Sequence, residues 1–196
     1  MKKKKILKNA LMVLGSVLIL ISAFLALYLP ITQSMNAKKS KEIYSDLKNL
    51  MPEVQNGSFD DRVNVSMSAL ELNGENFIGI IEIPLYETYL PVAMEWDKKS
   101  ISKYPHKFTG SIYDGSIIIG GSGNKGQFDF MKNITETDSV YFTDVTGMCY
   151  SYKVSKIEVV DSVTSEGLSS KDADLVLFAK DTFGSKYTVV SCKMGK

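Results

Sequence analysis

The segment Phe77-Ile78-Gly79-Ile80-Ile81-Glu82-Ile83-Pro84 decides the fold of this chain. Branched and aromatic residues fill it, a proline ends it, and Leu90-Pro91-Val92 follows after a short turn. Such a run is typical of a buried β-strand, because branched and aromatic side chains pack well on a pleated surface. The segment therefore predicts the first long strand of a β-rich domain, with a second strand close behind it.

The remainder of the C-terminal part repeats this rhythm of short apolar runs separated by turn residues. Seven or eight strands in roughly 125 residues, with little helical periodicity, predict a closed β-barrel or a sandwich. One helical turn is predicted near 128–134. We expect strands at 77–83, 89–93, 116–119, 139–143, 149–160, 175–178 and 187–192.

An uncharged stretch lies upstream, from Ala10 to Leu29. In a helix it would span roughly 30 Å, the thickness of a bilayer's hydrocarbon core. A cleavable signal peptide is the alternative, but its apolar region is usually shorter and ends at a small-x-small site, so we favour an uncleaved anchor. The lysines that precede the stretch predict a cytoplasmic N-terminus, which places everything after Pro30 outside the cell.

The chain is thus expected to have four parts: a basic cytoplasmic N-terminus (1–9), a transmembrane anchor (10–29), an extracellular spacer (30–70) and a β-barrel domain (71–196). Within the spacer, Ile43, Leu47 and Leu50 follow the i, i+4, i+7 spacing of an amphipathic helix, which Pro52 would end. The polar residues from 53 to 70 are typical of a linker.

Composition narrows the possible functions. A net charge of +1 argues against nucleic-acid binding, and 23% charged with 44% hydrophobic residues is ordinary for a folded domain. One histidine and two cysteines make a zinc site improbable, and we expect no metal and no cofactor. Cys149 and Cys192 could pair in an exported domain, although two sulfurs are a weak signal of a disulfide framework.

Five motifs follow one another between residues 74 and 192. They are Phe77–Pro84 with Pro91-Val92; His106 with Gly110-Ser111; Phe128, Met131, Ile134 and Asp138, with Thr137 in place of a glycine; Tyr150–Val154; and Ile157–Asp161 followed by Leu168. In this order they resemble the sortase family, the membrane-anchored cysteine transpeptidases of Gram-positive bacteria. The resemblance implies a mainly β fold, a sortase-like closed barrel of seven to eight strands with short helices, preceded by one N-terminal transmembrane helix.

The chemistry that this resemblance implies needs three side chains. In sortases a cysteine thiolate attacks the Thr–Gly carbonyl of a sorting signal, a histidine transfers protons and an arginine stabilises the oxyanion. The matching positions here are Gly121 for the histidine, Lys180 for the cysteine and Lys186 for the arginine, with Phe183-Gly184 behind Lys180 like the family's frequent aromatic–glycine pair. The chain is therefore interpreted as a divergent member that lacks the catalytic residues.

Each replacement removes part of the chemistry. Gly121 has no side chain to carry a proton, and Lys180 would form an amide acyl-enzyme that turns over poorly. Lys186 keeps a positive charge but lacks the donor fork of arginine. No catalytic residue is assigned, and we expect Gly121, Lys180 and Lys186 to surround a peptide-binding groove with two cations at its base.

Three functions stay open from the sequence. The leading hypothesis is a catalytically inactive, membrane-anchored protein that binds an exported or wall-anchored protein or peptide, in connection with surface-protein or pilus sorting. The second is a divergent transpeptidase or hydrolase that uses Cys149 or Cys192 with His106; Ser122, in a glycine-rich loop, is a weaker nucleophile candidate because no base is evident near it. The third is a structural accessory of an envelope assembly complex, acting through its spacer helix.

Overall fold

A computed structural model describes residues 2–57, 66–169, 172–182 and 184–195 of the chain. Phe183, the aromatic half of the predicted aromatic–glycine pair, and residues 58–65 of the predicted linker lie outside the described residues.

The N-terminal part is a single helix, α1, from Lys2 to Leu50. Its apolar first half is exposed, and by length and composition α1 is able to cross a membrane. The sequence predicted a separate spacer helix after the anchor, but the structure shows one helix that continues through Pro30. Its end at Leu50 agrees with the helix stop predicted from Pro52.

The second half of α1 packs on the β-domain. Ile43 and Leu47 are 4% and 0% exposed and share a core cluster with Phe77 and Tyr104, whereas Leu50, the third residue of the predicted stripe, is 60% exposed. An ion pair holds the same end of the helix, since Lys48 Nζ lies 2.6 Å from Glu82 Oε1. The predicted spacer helix is therefore part of the folded domain.

In the part of the chain that the structure describes, ten strands and short helical segments follow α1. Two 3₁₀ turns cover Pro84–Tyr86 and Asp129–Lys132, the second at the predicted helical turn, and a short helix, α2, covers Ser165–Ser169. The strands are β1 (Gln55–Asn56), β2 (Leu70–Leu72), β3 (Glu75–Ile83), β4 (Thr88–Ala93), β5 (His106–Ser111), β6 (Ser116–Ser122), β7 (Ser139–Asp144), β8 (Met148–Val160), β9 (Leu175–Lys180) and β10 (Tyr187–Met194).

Eight of these strands form a closed ring. The order around the ring is β3, β4, β5, β6, β9, β10, β8, β7 and back to β3. Neighbours are antiparallel except for β4 with β5 and β6 with β9, which are parallel, and the short β1 and β2 add to the outside of β8 and β3. The structure confirms the predicted closed β-barrel. It adds β5, β1 and β2, which the sequence did not predict.

Along β6 and β9, alternate side chains point into the barrel core or into an apolar cluster outside it. Ile117 and Ile119 of β6 and Leu177 of β9 point into the main barrel core, which also holds Phe128. The residues between them point outward, so that Ile118 forms a second cluster outside the barrel with Val176, Phe178, Val189 and Leu168 of α2. The end of β6 and β9 therefore has a packed inner face and a separate apolar outer face.

Gly79, in the segment that predicted the fold, is needed for strand packing. A Cβ at this position would overlap the carbonyl oxygen of Thr143 on β7 and crowd the side chain of Phe142. A glycine here allows β3 and β7 to come close enough to close the ring.

Candidate functional site

The candidate site is a cleft where β6 and β9 end and β10 begins. Parallel pairing places Gly121 opposite Ala179 and Ser122 opposite Lys180, and Tyr187 at the start of β10 is paired with Lys180 from the other side. The cleft has a volume of about 550 Å³. The topology thus brings two of the three sequence-predicted positions, Gly121 and Lys180, to one opening.

An aromatic wall forms one side of this cleft. Its rings come from Trp96, Phe108, Phe178 and Tyr187, with centroid distances of 4.8 Å between Trp96 and Phe108, 5.2 Å between Phe108 and Phe178, and 6.4 Å between Phe178 and Tyr187. A Cβ on Gly120 would meet the rings of Phe178 and Trp96 at 2.5 and 2.6 Å, so a glycine is needed beneath the wall. Interlocked rings of this kind make a rigid apolar surface.

Packing leaves no room for a side chain at Gly121, the position that the sequence resemblance matched to the sortase histidine. A Cβ on Gly121 would lie 2.6 Å from Cδ2 of Phe128 and 2.8 Å from Oε1 of Gln127. Both side chains are buried, at 1% and 3% exposure. Gln127 is fixed at both ends, because its Oε1 accepts a hydrogen bond from the Ser122 backbone N–H and its Nε2 donates to the Ile101 carbonyl at 3.0 Å.

The two lysines predicted for the groove have different positions. Lys180 is exposed and lines the cleft, together with Lys98 and Asp181. Lys186 is not part of the cleft lining that the structure describes. Its Nζ lies 3.9 Å from Asp161 Oδ1, with side chains 60% and 90% exposed, which is a weak surface pair. Of the two cations predicted at the base of the groove, Lys180 lines the cleft and Lys186 is absent from the lining that the structure describes; Lys98, which was not predicted, lies in that lining with Lys180.

His106 is placed as a structural residue. It is 0% exposed, on β5, where Nδ1 donates to the Glu95 carbonyl at 2.6 Å and Nε2 lies 3.1 Å from the Ser100 hydroxyl. Its ring stacks against Tyr104 at 5.4 Å between centroids and meets the edge of Trp96 at 6.5 Å. Because both ring nitrogens already have partners, His106 has no free nitrogen with which to act on a substrate.

The two cysteines lie on other strands and are free thiols. Cys192 of β10 is 0% exposed in the barrel core, and burial raises the pKa of its thiol to about 12. Cys149 of β8 is half-buried and is paired in register with Thr143 and Asn56. The structure does not bring His106 into contact with either cysteine: the ring nitrogens are bound to Glu95 and Ser100.

Sequence reasoning missed several residues of the cleft. The predicted groove residues were Gly121, Lys180 and Lys186, and the aromatic residues Phe108 and Tyr187 were not among them. Phe108 lies on β5, a strand that was not predicted. Among the residues that the structure describes, no group of three or more His, Cys, Asp and Glu side chains is arranged to hold a metal ion.

The fold has known counterparts among solved structures. Sortase A from Corynebacterium diphtheriae superposes with a TM-score of 0.55 at 16% identity, over 85% of this chain and 86% of that chain. Sortase C-3 from Streptococcus pneumoniae gives a TM-score of 0.54 at 16% identity, over 84% of each chain. Listeria monocytogenes sortase A gives 0.54 at 16% identity, over 61% of this chain and 88% of that chain.

No protein-family model matches the sequence, and no curated protein matches it. Identities this low establish the fold and not the activity. The resemblance inferred from the sequence is confirmed at this level: the chain has a sortase-like fold, with an N-terminal helix apolar enough to cross a membrane.

Proposed function

We propose that this sortase-like protein is a catalytically inactive binding protein of the cell envelope. In this proposal α1 anchors the chain in the membrane with its N-terminus in the cytoplasm, and the barrel lies outside. The cleft binds an extended peptide segment of an exported or wall-anchored protein, in connection with surface-protein or pilus sorting, and does not cut it. The observation that carries the proposal is that packing fills the acid–base position at Gly121 while the cleft beside it remains open.

The first support is the loss of catalytic chemistry. Peptide-bond cleavage by a covalent route needs a nucleophile, a proton donor for the leaving amine and a group that stabilises the oxyanion. The cleft offers Lys180, whose acyl product would be a stable amide, and no histidine. Lys186 is paired with Asp161 on the surface and is absent from the described lining of the cleft. A bound peptide would therefore be retained intact.

The second support is the cleft itself. Its aromatic wall can cover apolar side chains of a peptide, and Lys98 and Lys180 supply positive charge beside it. A few charged groups on a mostly apolar concave surface are typical of sites that orient a ligand. We expect a preference for segments that place an apolar residue against the wall and an acidic residue near Lys180.

Trp96 allows a direct test, because it is the only tryptophan in the chain and lies in the cleft. The full chain in nanodiscs would be titrated with a pool of sorting-signal peptides that contain the Thr–Gly bond, while the emission of Trp96 is followed. Binding should change the emission in a saturable way, and mass spectrometry of the peptides should show no cleavage.

Lys180→Gln and Lys186→Gln form a matched pair for the same titration. The first variant should weaken binding of the acidic peptides by about tenfold, the typical contribution of a charge-assisted hydrogen bond. The second should change it by less than about twofold, because Lys186 is an exposed surface charge. Equal effects of the two variants would contradict binding at this cleft.

The alternative of a relocated cysteine enzyme finds little support. Its base, His106, is buried and fully bonded, and the thiol of Cys192 lies in the core. The alternative of a purely structural accessory depended on an independent spacer helix. Since Ile43 and Leu47 belong to a barrel cluster, deletion of residues 35–70 would disrupt the domain and would not isolate the role of the spacer.

A further inference from the structure

A second cavity lies between α1 and the barrel, next to the end of the apolar stretch of α1. This groove, which we call the α1 groove, has a volume of about 830 Å³. One wall is a single stripe of α1 that includes Gln33, Ser34 and Ser40, and the other is the start of β4 with its preceding turn. The aromatic cleft has none of these residues in its lining, so the α1 groove is a separate site.

The groove is held open by contacts on both sides of it. Farther from the membrane, Ile43 and Leu47 pack into the barrel cluster. Nearer the membrane, Gln33 Nε2 donates to Asn124 Oδ1 at 3.3 Å, and Ala37 leaves no room for a Cβ on Gly126, which has φ +79°. The glycine-rich loop therefore lies against α1, and the helix cannot collapse onto the barrel between these points.

An unpaired polar atom points to a ligand. Ser40 lines the groove and is 1% exposed, and its hydroxyl has no hydrogen-bond partner within the described part of the chain. A buried hydroxyl without a partner costs free energy of the order of a lost hydrogen bond, about 1–3 kcal/mol. A bound molecule that offers its own hydroxyl or carbonyl would satisfy this atom.

The position of the groove limits the ligand. Its first lining residue, Pro30, directly follows the apolar stretch, and Ser40 lies about 16 Å farther along the helix axis than Leu29. The polar headgroup zone of a bilayer leaflet is only roughly 5–8 Å deep. A ligand that fills the groove from the membrane side must therefore be a headgroup that extends well beyond the bilayer surface.

The lining favours a sugar over a phosphate. Lys41 and Lys125 are balanced by Glu87 and Asp129, so the groove has no excess of positive charge to select an anion. The rings of Tyr44 and Tyr89, with centroids 5.7 Å apart, offer flat apolar faces beside polar side chains. Flat rings combined with hydroxyl and amide groups suit the mixed apolar and polyhydroxyl surface of a sugar.

We propose that the α1 groove binds the glycosyl headgroup of a membrane glycolipid, with the Ser40 hydroxyl bonded to the sugar and Tyr89 packed against its ring. The lipid would remain in the bilayer while its headgroup occupies the space between α1 and β4. The barrel would thereby be held in a fixed orientation at the membrane surface.

The test uses the full chain in nanodiscs of phosphatidylcholine that contain a small fraction of digalactosyldiacylglycerol. Native mass spectrometry counts the lipids that stay bound when the protein is released from the nanodisc. Control nanodiscs contain phosphatidylglycerol in place of the glycolipid. The wild-type chain should retain the glycolipid in preference to the other two lipids. Competition by free lactose would show that the sugar alone is recognised, and retention despite lactose would show that the lipid anchor contributes.

The variants Ser40→Val and Tyr89→Leu should each lower retention by about fivefold, the effect of one lost contact of this kind. Thr32→Val is the control on the same helix, because Thr32 bonds to the Tyr28 carbonyl at 2.8 Å and faces away from the groove stripe. Thermal unfolding and the Trp96 titration would establish that the variants are folded. Equal retention of all three lipids, a preference for phosphatidylglycerol, or wild-type retention by Ser40→Val would overturn the proposal.

Discussion

Replacing Gly121 by alanine tests whether packing has closed the acid–base position. The new Cβ would lie 2.6 Å from Cδ2 and 2.8 Å from Cε2 of Phe128, where 3.4 Å is an ordinary contact. The ring of Phe128 would have to move by about 0.8 Å to restore that distance. Gln127 Oε1, at 2.8 Å, also blocks the way, and both side chains are in the packed interior.

The expected destabilisation follows from two opposing effects. Overpacking of a well-packed core typically costs about 1–3 kcal/mol. Alanine restricts the unfolded chain more than glycine does, which stabilises the folded state by about 0.4–1 kcal/mol. Gly121 is not among the glycines of positive φ, so the substitution adds no backbone strain. We therefore expect Gly121→Ala to lower the free energy of unfolding by about 1–2 kcal/mol and the Tm by about 2–8 °C.

Thermal unfolding of the full chain in detergent, followed by circular dichroism, measures this change. Gly195→Ala is the control, because its Cβ would be 3.7 Å from the Ser151 carbonyl oxygen, an ordinary contact. The double variant Gly121→Ala with Phe128→Leu should lose less stability than the two single variants together, since leucine leaves room for the new methyl group. The reasoning is refuted if Gly121→Ala is as stable as Gly195→Ala, or if the two changes at 121 and 128 are additive.

Three further predictions concern the surroundings of the cleft. Leu47→Ala should destabilise the chain by about 2–5 kcal/mol because Leu47 is in the helix–barrel cluster, while Leu50→Ala should change stability by less than about 0.5 kcal/mol; equal denaturant midpoints would contradict the docking of α1. Cys192 should react with iodoacetamide at pH 7–9 only after unfolding, since burial raises the pKa of its thiol to about 12 and keeps it protonated; mass spectrometry would detect fast labelling of the native chain, which would revive the enzyme hypothesis. His106→Ala should cost about 2–4 kcal/mol in urea unfolding, because two buried hydrogen-bond partners lose their contact, and a variant of unchanged stability would argue against a structural role.

The sequence predicted the barrel because each long strand carries its own pattern. Phe77–Ile83 and Leu175–Phe178 are dense in branched and aromatic residues, and they form β3 and β9 as expected. β5 was missed because His106–Ser111 contains a histidine, a lysine and Gly110, and its outward-facing residues are only half-buried. β1 and β2 have two and three residues, too few to show a periodicity.

The cleft was predictable only in part. The family pattern indicated Gly121 and Lys180 by their positions at strand ends, and parallel pairing of β6 with β9 brings them to the same opening. The aromatic wall depends on which face of each strand is outside the barrel, and the closure of position 121 depends on Phe128 folding back under β6. Both are tertiary effects, which the spacing of residues along the chain does not reveal.

The packing of α1 on the barrel also could not be predicted from the local sequence pattern. The stripe of Ile43 and Leu47 predicted an amphipathic helix but not the surface that covers it. That surface contains Phe77 and Tyr104, which are far away in sequence and come together only when β3 and β4 pair and the chain before β5 folds over them.

The titration of Trp96 emission with Thr–Gly sorting-signal peptides, combined with mass spectrometry of the peptides, tests the central claim most directly. The account predicts a saturable change in emission, intact peptides after long incubation, and weaker binding by Lys180→Gln than by Lys186→Gln. Cleavage at the Thr–Gly bond would contradict catalytic inactivity, and the absence of any response in the full chain would contradict peptide binding in the cleft.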